Sequence, residues 1–232
     1  MFRKMKVIDL TGKADFPPAE RAGRDGLLAM GGDLSPRRLL RAYGRGIFPW
    51  YGEGEPILWW SPAPRFVLFP EEFHAGSRLI RSLKQRTFAT TMDRAFPDVI
   101  DGCARPRPDQ AGTWITPAMR DAYVGLHRLG YAHSLEVWRQ GRLAGGVYGL
   151  SLGRCFFAES MFHLESNASK VALASLAALL LKMEFIFIDC QVPSPHLAAW
   201  GARLIPRRRY LELLRVGLRF HTLRRDWHDL PL

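Results

Sequence analysis

Asp189 and Gln191 end the apolar run Phe185-Ile-Phe-Ile-Asp-Cys-Gln191. A short apolar segment bounded by polar residues reads as a buried strand. Strand alternation puts the carboxylate and the carboxamide on the same side of it. A strand end presenting two polar groups together is a candidate site for positioning a reactant and handling a proton. The plainer reading is that both satisfy neighbouring backbone groups. Glu159, near the end of a strand over residues 154–160, is a second carboxylate, which on its own reads equally as a buried negative partner for a cationic substrate or as a cross-strand partner for an arginine. His133-Ser134 suggests a nucleophile and base with Asp189, but no strained nucleophile turn surrounds the serine, so His133 reads as a structural residue. Cys103, Cys155 and Cys190 are scattered without a CxxC spacing, which implies neither a disulfide framework nor a zinc site.

The elements that must hold these residues can be followed along the chain. Ser35 caps a helix with Pro36 in its first turn and Gly44 at its end; Leu39, Leu40 and Tyr43 form its apolar face. Residues 46–51 and 56–65 are rich in proline and tryptophan, which predicts an ordered aromatic loop rather than helix. A domain boundary is expected at 62/63, giving a small N-terminal α/β domain over 1–62 and a larger one over 63–232. Within the larger domain, residues 65–69 read as a strand and 77–86 as a basic helix. Thr116 caps a helix that buries Met119, Tyr123 and Leu126 and stops at Gly130. Residues 132–139, 143–151 and 154–160 alternate as an antiparallel meander. A helix capped by Ser166 or Asn167 then runs to about Lys182, burying Ala172, Leu173, Leu176, Leu179 and Leu180. After the strand at 185 come a short helix from Pro195 and an amphipathic helix from Pro206.

This order, in an α/β (α+β) chain with a mixed, mainly antiparallel sheet, resembles the acetyltransferase-like (GNAT-type) fold. The strand at 185 follows a helical crossover and can run parallel to its neighbour. A cleft is expected where the pairing splits, with Asp189 and Gln191 in it. The pyrophosphate loop usual for coenzyme A in that fold is missing before the helix at 168, so acetyl-coenzyme A is not expected as donor.

Apolar residues make up 47% of the 232, and 33 Lys and Arg against 22 Asp and Glu leave a net charge of +11. That balance favours an anionic partner, nucleic acid first. Arg78, Arg81, Lys84 and Arg86 cluster, as do the arginines from 207 to 225. No apolar run reaches the length of a membrane span and the N-terminus lacks a signal-peptide core, so a cytoplasmic, membrane-free protein is expected.

Gly31-Gly-Asp-Leu-Ser35, Gly46-Ile-Phe-Pro-Trp50, Leu58-Trp-Trp-Ser-Pro62, Thr113-Trp-Ile115, Ala132-His-Ser134, Gly145-Gly-Val-Tyr-Gly149, Glu159-Ser-Met-Phe162, Asn167-Ala-Ser-Lys170 and Ile188-Asp-Cys-Gln191 together resemble the leucyl/phenylalanyl-tRNA-protein transferases. The resemblance implies transfer of Leu or Phe, with Met a further candidate, from aminoacyl-tRNA to proteins beginning with Arg or Lys, marking them for degradation by the N-end rule pathway. It implies no cofactor and no metal, because the aminoacyl ester is already activated. In the mechanism it suggests, the Gln191 carbonyl accepts a hydrogen from the acceptor's α-amino group and Asp189 polarises that glutamine. Glu159 would bind the cationic acceptor. Val147 matches an aminoacyl-pocket position, with Phe156, Met161, Phe162 and Phe185 as further lining. Trp50 and Trp114 would flank the adenosine and aminoacyl end, and Arg78, Arg81 and Lys84 would contact tRNA phosphate. Asn167 reads as a helix cap. Two rivals share parts of the pattern: a cell-wall interpeptide-bridge transferase and a non-catalytic RNA-binding module.

Overall fold

Strands whose residues are apolar on both sides must be covered on both faces, and the central strands of this chain are. The structure, a computed structural model, describes residues 7–11, 15–76, 87–106 and 113–230. Seven strands form the main sheet in the order β11-β5-β10-β9-β8-β7-β6. They are β5 (Arg65–Leu68), β6 (Ala89–Met92), β7 (Ala132–Arg139), β8 (Arg142–Leu152), β9 (Cys155–His163), β10 (Phe187–Gln191) and β11 (Arg203–Ile205). One core contains Leu135, Val147, Phe156 and Ile188 with the buried side of α4 (Ala168–Lys182). The alternate residues Tyr148, Phe157 and Phe187 belong to the other core, with α2 (Phe96–Ala104) and α3 (Pro117–Arg128). The period-two pattern of β8, β9 and β10 thus supplies two opposite layers.

β6 to β9 are antiparallel, whereas β10 returns through α4 and pairs parallel with β9. This is the topology expected of an acetyltransferase-like domain. Thr116 caps α3 through its Oγ1, which accepts from Met119 N–H at 3.3 Å. Ser35 does the same for α1 (Pro36–Tyr43), accepting from Arg38 N–H at 3.4 Å. The one-turn α5 (Pro195–Ala198) and the longer α6 (Arg207–Gly217) follow, and the segment after them returns the buried Trp227 to the core.

Several expectations need correction. The proline and tryptophan segments include strands: β3 (Phe48–Pro49) and β4 (Leu58–Trp60) pair antiparallel, and β4 also pairs with β2 (Leu27–Met30). With β1 (Ile8–Asp9) they make a four-stranded sheet. Proline at an edge position does not obstruct such short pairing, and the indoles are satisfied locally: Trp59 Nε1–H donates to Gly31 O at 2.9 Å and Trp60 Nε1–H to Trp50 O at 2.6 Å. Asn167 stands at the N-cap of α4 but in a left-handed conformation, φ 73°, without a side-chain capping bond. The strand expected from Phe185 begins at Phe187. β6, α2 and β11 carried no sequence expectation. The basic helix expected over 77–86, with Arg78, Arg81 and Lys84, lies outside the described residues.

Candidate active site

β9 and β10 stay paired only from Phe187↔Cys155 to Asp189↔Phe157. Just beyond, each strand carries one extra residue. Opposite β8, Tyr148 faces Ser160 and Gly149 faces Ala158, so Glu159 is the bulged residue. Opposite β5, Asp189 faces Val67 and Gln191 faces Phe66, so Cys190 is the bulged one. A bulge twists and re-aims a strand end. Gln191 accordingly takes φ 63°, and simple alternation with Asp189 is broken. A Cβ at position 149 would stand 2.2 Å from the Phe157 carbonyl oxygen, so the β9 bulge requires glycine there.

The two bulges join Glu159 and Gln191 across the split. Gln191 Nε2 donates to Glu159 Oε1 at 2.8 Å. Two phenols complete the cage: Tyr43 O–H donates to Oε1 at 2.7 Å and Tyr123 O–H to Oε2 at 3.0 Å, and the two hydroxyls also touch each other. Tyr43 comes from α1 and Tyr123 from α3, so three separate elements meet on one carboxylate. Glu159 is 9% exposed. Burial pushes its carboxyl up to about 7, against the pull of the three donors.

Asp189 is used differently. Arg65 grips it with Nε–H to Oδ1 at 2.8 Å and Nη2–H to Oδ2 at 2.7 Å, and both side chains are fully buried. Tyr210 O–H donates to Oδ2 at 2.8 Å. The guanidinium carbon lies 4.7 Å from the Phe48 ring centroid and 4.6 Å from that of Tyr210. Asp189 Oδ1 also accepts the backbone N–H of Gln191 at 3.0 Å. The carboxylate therefore fixes the backbone of Gln191, while its carboxamide is held by Glu159.

Glu159 and Gln191 line a cleft of about 790 Å³, together with Val147, Met161, Phe162, Trp50 and Trp114. Trp50 is 43% exposed. Phe156 and Phe185 are not among the lining residues; both pack near the Trp227 ring, at 6.3 and 6.1 Å between centroids. Asp189 also lies behind the cleft wall. His133 is distant in role from Asp189: its Nδ1 lies 2.7 Å from Asp93 Oδ2 and its ring stacks on Trp227 at 3.8 Å. Among the described residues no group of three or more His, Cys, Asp or Glu could hold a metal ion, and no helix is long and apolar enough to cross a membrane.

Comparison with known proteins settles the relationship. The family model described as leucyl/phenylalanyl-tRNA protein transferase matches residues 67–215. The chain belongs to this family. The model of the family's N-terminal domain matches residues 32–63. A leucyl/phenylalanyl-tRNA--protein transferase of Syntrophus aciditrophicus (strain SB) is 58% identical over 228 residues, 98% of this chain and 95% of that protein. Its counterpart in Desulfatibacillum aliphaticivorans is 55% identical over 224 residues, 96% of each. The chain is accordingly that of an aminoacyltransferase family member.

Sequence reasoning missed Arg65, Tyr43, Tyr123 and Tyr210. Tyr43 and Tyr123 were legible as inward-facing helix positions, and a buried phenol needs a hydrogen-bond partner. That need was the signal. Arg65 gave none beyond the requirement that a buried aspartate find a cation.

Proposed function

We propose that this protein transfers Leu or Phe, with Met a further candidate, from aminoacyl-tRNA to the α-amino group of proteins beginning with Arg or Lys. The modified proteins would be marked for degradation by the N-end rule pathway in the cytoplasm. The observation that carries the reading is the Gln191–Glu159 bridge at the floor of the cleft. An aminoacyl ester reacts with an amine once the two are aligned and a proton is removed. Because Gln191 gives an N–H to Glu159, its Oε1 is left to accept a hydrogen from the incoming amine.

Each remaining residue has a place in this reading. Val147, Met161 and Phe162 supply an apolar recess for the aminoacyl side chain, and Trp50 and Trp114 supply stacking surfaces for the terminal adenosine. Glu159 binds the cationic end of the acceptor. Asp189 and Arg65 hold the Gln191 backbone in its left-handed turn. Arg78, Arg81 and Lys84 are proposed, from the sequence, to contact phosphates along the acceptor stem.

The test is transfer of radiolabelled leucine from Leu-tRNA to peptides beginning with Arg, Lys or Ala. Incorporation confined to the Arg and Lys peptides supports the proposal. Binding of Leu-tRNA without incorporation into any peptide would sink it and favour a non-catalytic RNA-binding role.

A further inference from the structure

We propose that the cage of Tyr43, Tyr123 and Glu159 removes the first proton from the acceptor's α-ammonium, making Glu159 the base of the transfer. This rests on the aminoacyl-transfer reading above and assigns its proton.

Counting hydrogens leads to this role. The cage contains three oxygen–oxygen contacts: Tyr43 with Tyr123, Tyr43 with Glu159 Oε1, and Tyr123 with Glu159 Oε2. While Glu159 is ionised, only two hydrogens, one on each phenol, are available for three contacts. One contact between lone pairs is then left without a hydrogen. A proton on Oε2 closes the ring: Oε2–H donates to Tyr123, Tyr123 to Tyr43, and Tyr43 to Oε1. Every contact then has one hydrogen, so the cage gains from taking a proton.

The surroundings point the same way. Oε1 already accepts from Tyr43 and from Gln191, whereas Oε2 accepts from Tyr123 alone. Oε2 thus keeps one lone pair unused on a side chain that lines the cleft; a proton taken up there closes the ring once the O–H turns about its C–O bond toward Tyr123 and the Tyr123 hydrogen turns to Tyr43. The three hydrogen-bond partners of Glu159 among the described residues are neutral. Among the described residues the ionisable groups that act on it are Tyr43 from α1, Tyr123 from α3, Tyr148 from β8 and Asp189 from β10, with Cys103 of α2 acting on Tyr148; Arg105, His163 and His196 line the same cleft. The three phenols are pushed well above their usual range, chiefly by burial, and so keep their own protons. The negative charge of Asp189, paired with Arg65, adds a smaller push in the direction of a protonated Glu159. An affinity near neutrality suits a base whose partner is an α-amino group, ordinarily about 7.7–8.

The step balances. The ammonium has three hydrogens: one passes to Glu159, and the freed lone pair attacks the ester carbonyl carbon. The bond from that carbon to the terminal ribose oxygen breaks, and the ribose oxygen takes the second hydrogen. The third remains on the new amide nitrogen. Glu159 then returns its proton to water through the cleft. Gln191 Oε1, accepting from the nitrogen throughout, aligns the attack without having to carry a proton.

The experiment compares wild-type protein with Glu159→Gln, using Leu-tRNA and two acceptors. One is a peptide beginning with Arg; the other is the same peptide with an aminooxy group in place of its α-amino group, already neutral at neutral pH. Glu159→Gln is expected to slow transfer to the ordinary peptide by about tenfold near pH 7, where only about one α-amino group in ten is already neutral. The loss should fall below about twofold near pH 9, where the amine deprotonates unaided. With the aminooxy acceptor the loss at neutral pH should likewise stay below about twofold. That second acceptor needs the same folded site, so it separates a missing base from a collapsed cleft. Equal losses with both acceptors and at both pH values, against active wild type, would overturn the proposal alone. No transfer by the wild-type protein would overturn the transferase reading and the proposal with it.

Discussion

The two buried carboxylates stand on neighbouring strands yet are held by opposite chemistry. Asp189 is saturated by a bidentate arginine, a phenol and a backbone N–H. Glu159 has two phenols and a carboxamide, with no formal positive charge among them. The first arrangement makes a clamp in which carboxylate and guanidinium are locked to each other. The second leaves a carboxyl poised between its two states and facing the cleft. Burial alone therefore does not mark the reactive acid; the charge of its partners does.

Breaking the clamp should have the largest effect. Arg65→Ala leaves Asp189 buried and uncompensated, and is expected to cost about 3–5 kcal/mol of unfolding free energy, read from denaturant midpoints. A loss under about 1 kcal/mol would mean the pair is no clamp.

The pH dependence of stability should sharpen the contrast. The folded value of Glu159, about 7, lies above its ordinary 4.5, so the folded protein binds this proton more tightly than the unfolded chain. The resulting stability is fully present below about pH 4.5 and lost as pH rises through about 7. Wild type should therefore gain stability relative to Glu159→Gln as pH falls across this window, by up to about 3 kcal/mol. A difference that stays flat with pH would show that folding does not tighten the hold of Glu159 on its proton.

Two smaller changes act at the margins of the comparison. Trp50→Ala touches neither carboxylate and should weaken binding of Leu-tRNA by about 1–3 kcal/mol, with the unfolding midpoint nearly unchanged. Tyr123→Phe removes one donor from Glu159 and should cost about 1 kcal/mol of stability above neutral pH. Unaltered stability there would show that Tyr123 does not support the ionised form.

The main architecture was legible because hydrophobic periodicity and caps carry it. The meander, α3, α4 and the parallel return of β10 follow from alternation, from Thr116 and from the length of the crossover. Asp189, Gln191 and Glu159 were visible as polar residues at strand ends. Their division of labour was not, because it depends on two bulges and the left-handed turn at Gln191, which shift alternation by one residue. Arg65 and Tyr210 are distant in sequence from Asp189 and show no local pattern that announces the pairing. Phe156 and Phe185 read as pocket lining since aromatics of a core and of a cleft look alike in sequence; Trp227 turns out to be what they pack near.

The most direct test of the account is the single-turnover rate of leucine transfer from saturating Leu-tRNA to an Arg-peptide by Gln191→Ala. A fall of about 100-fold or more, with Leu-tRNA still bound, is the predicted result. A rate equal to wild type would show that the carboxamide bridging the two strands takes no part in the reaction.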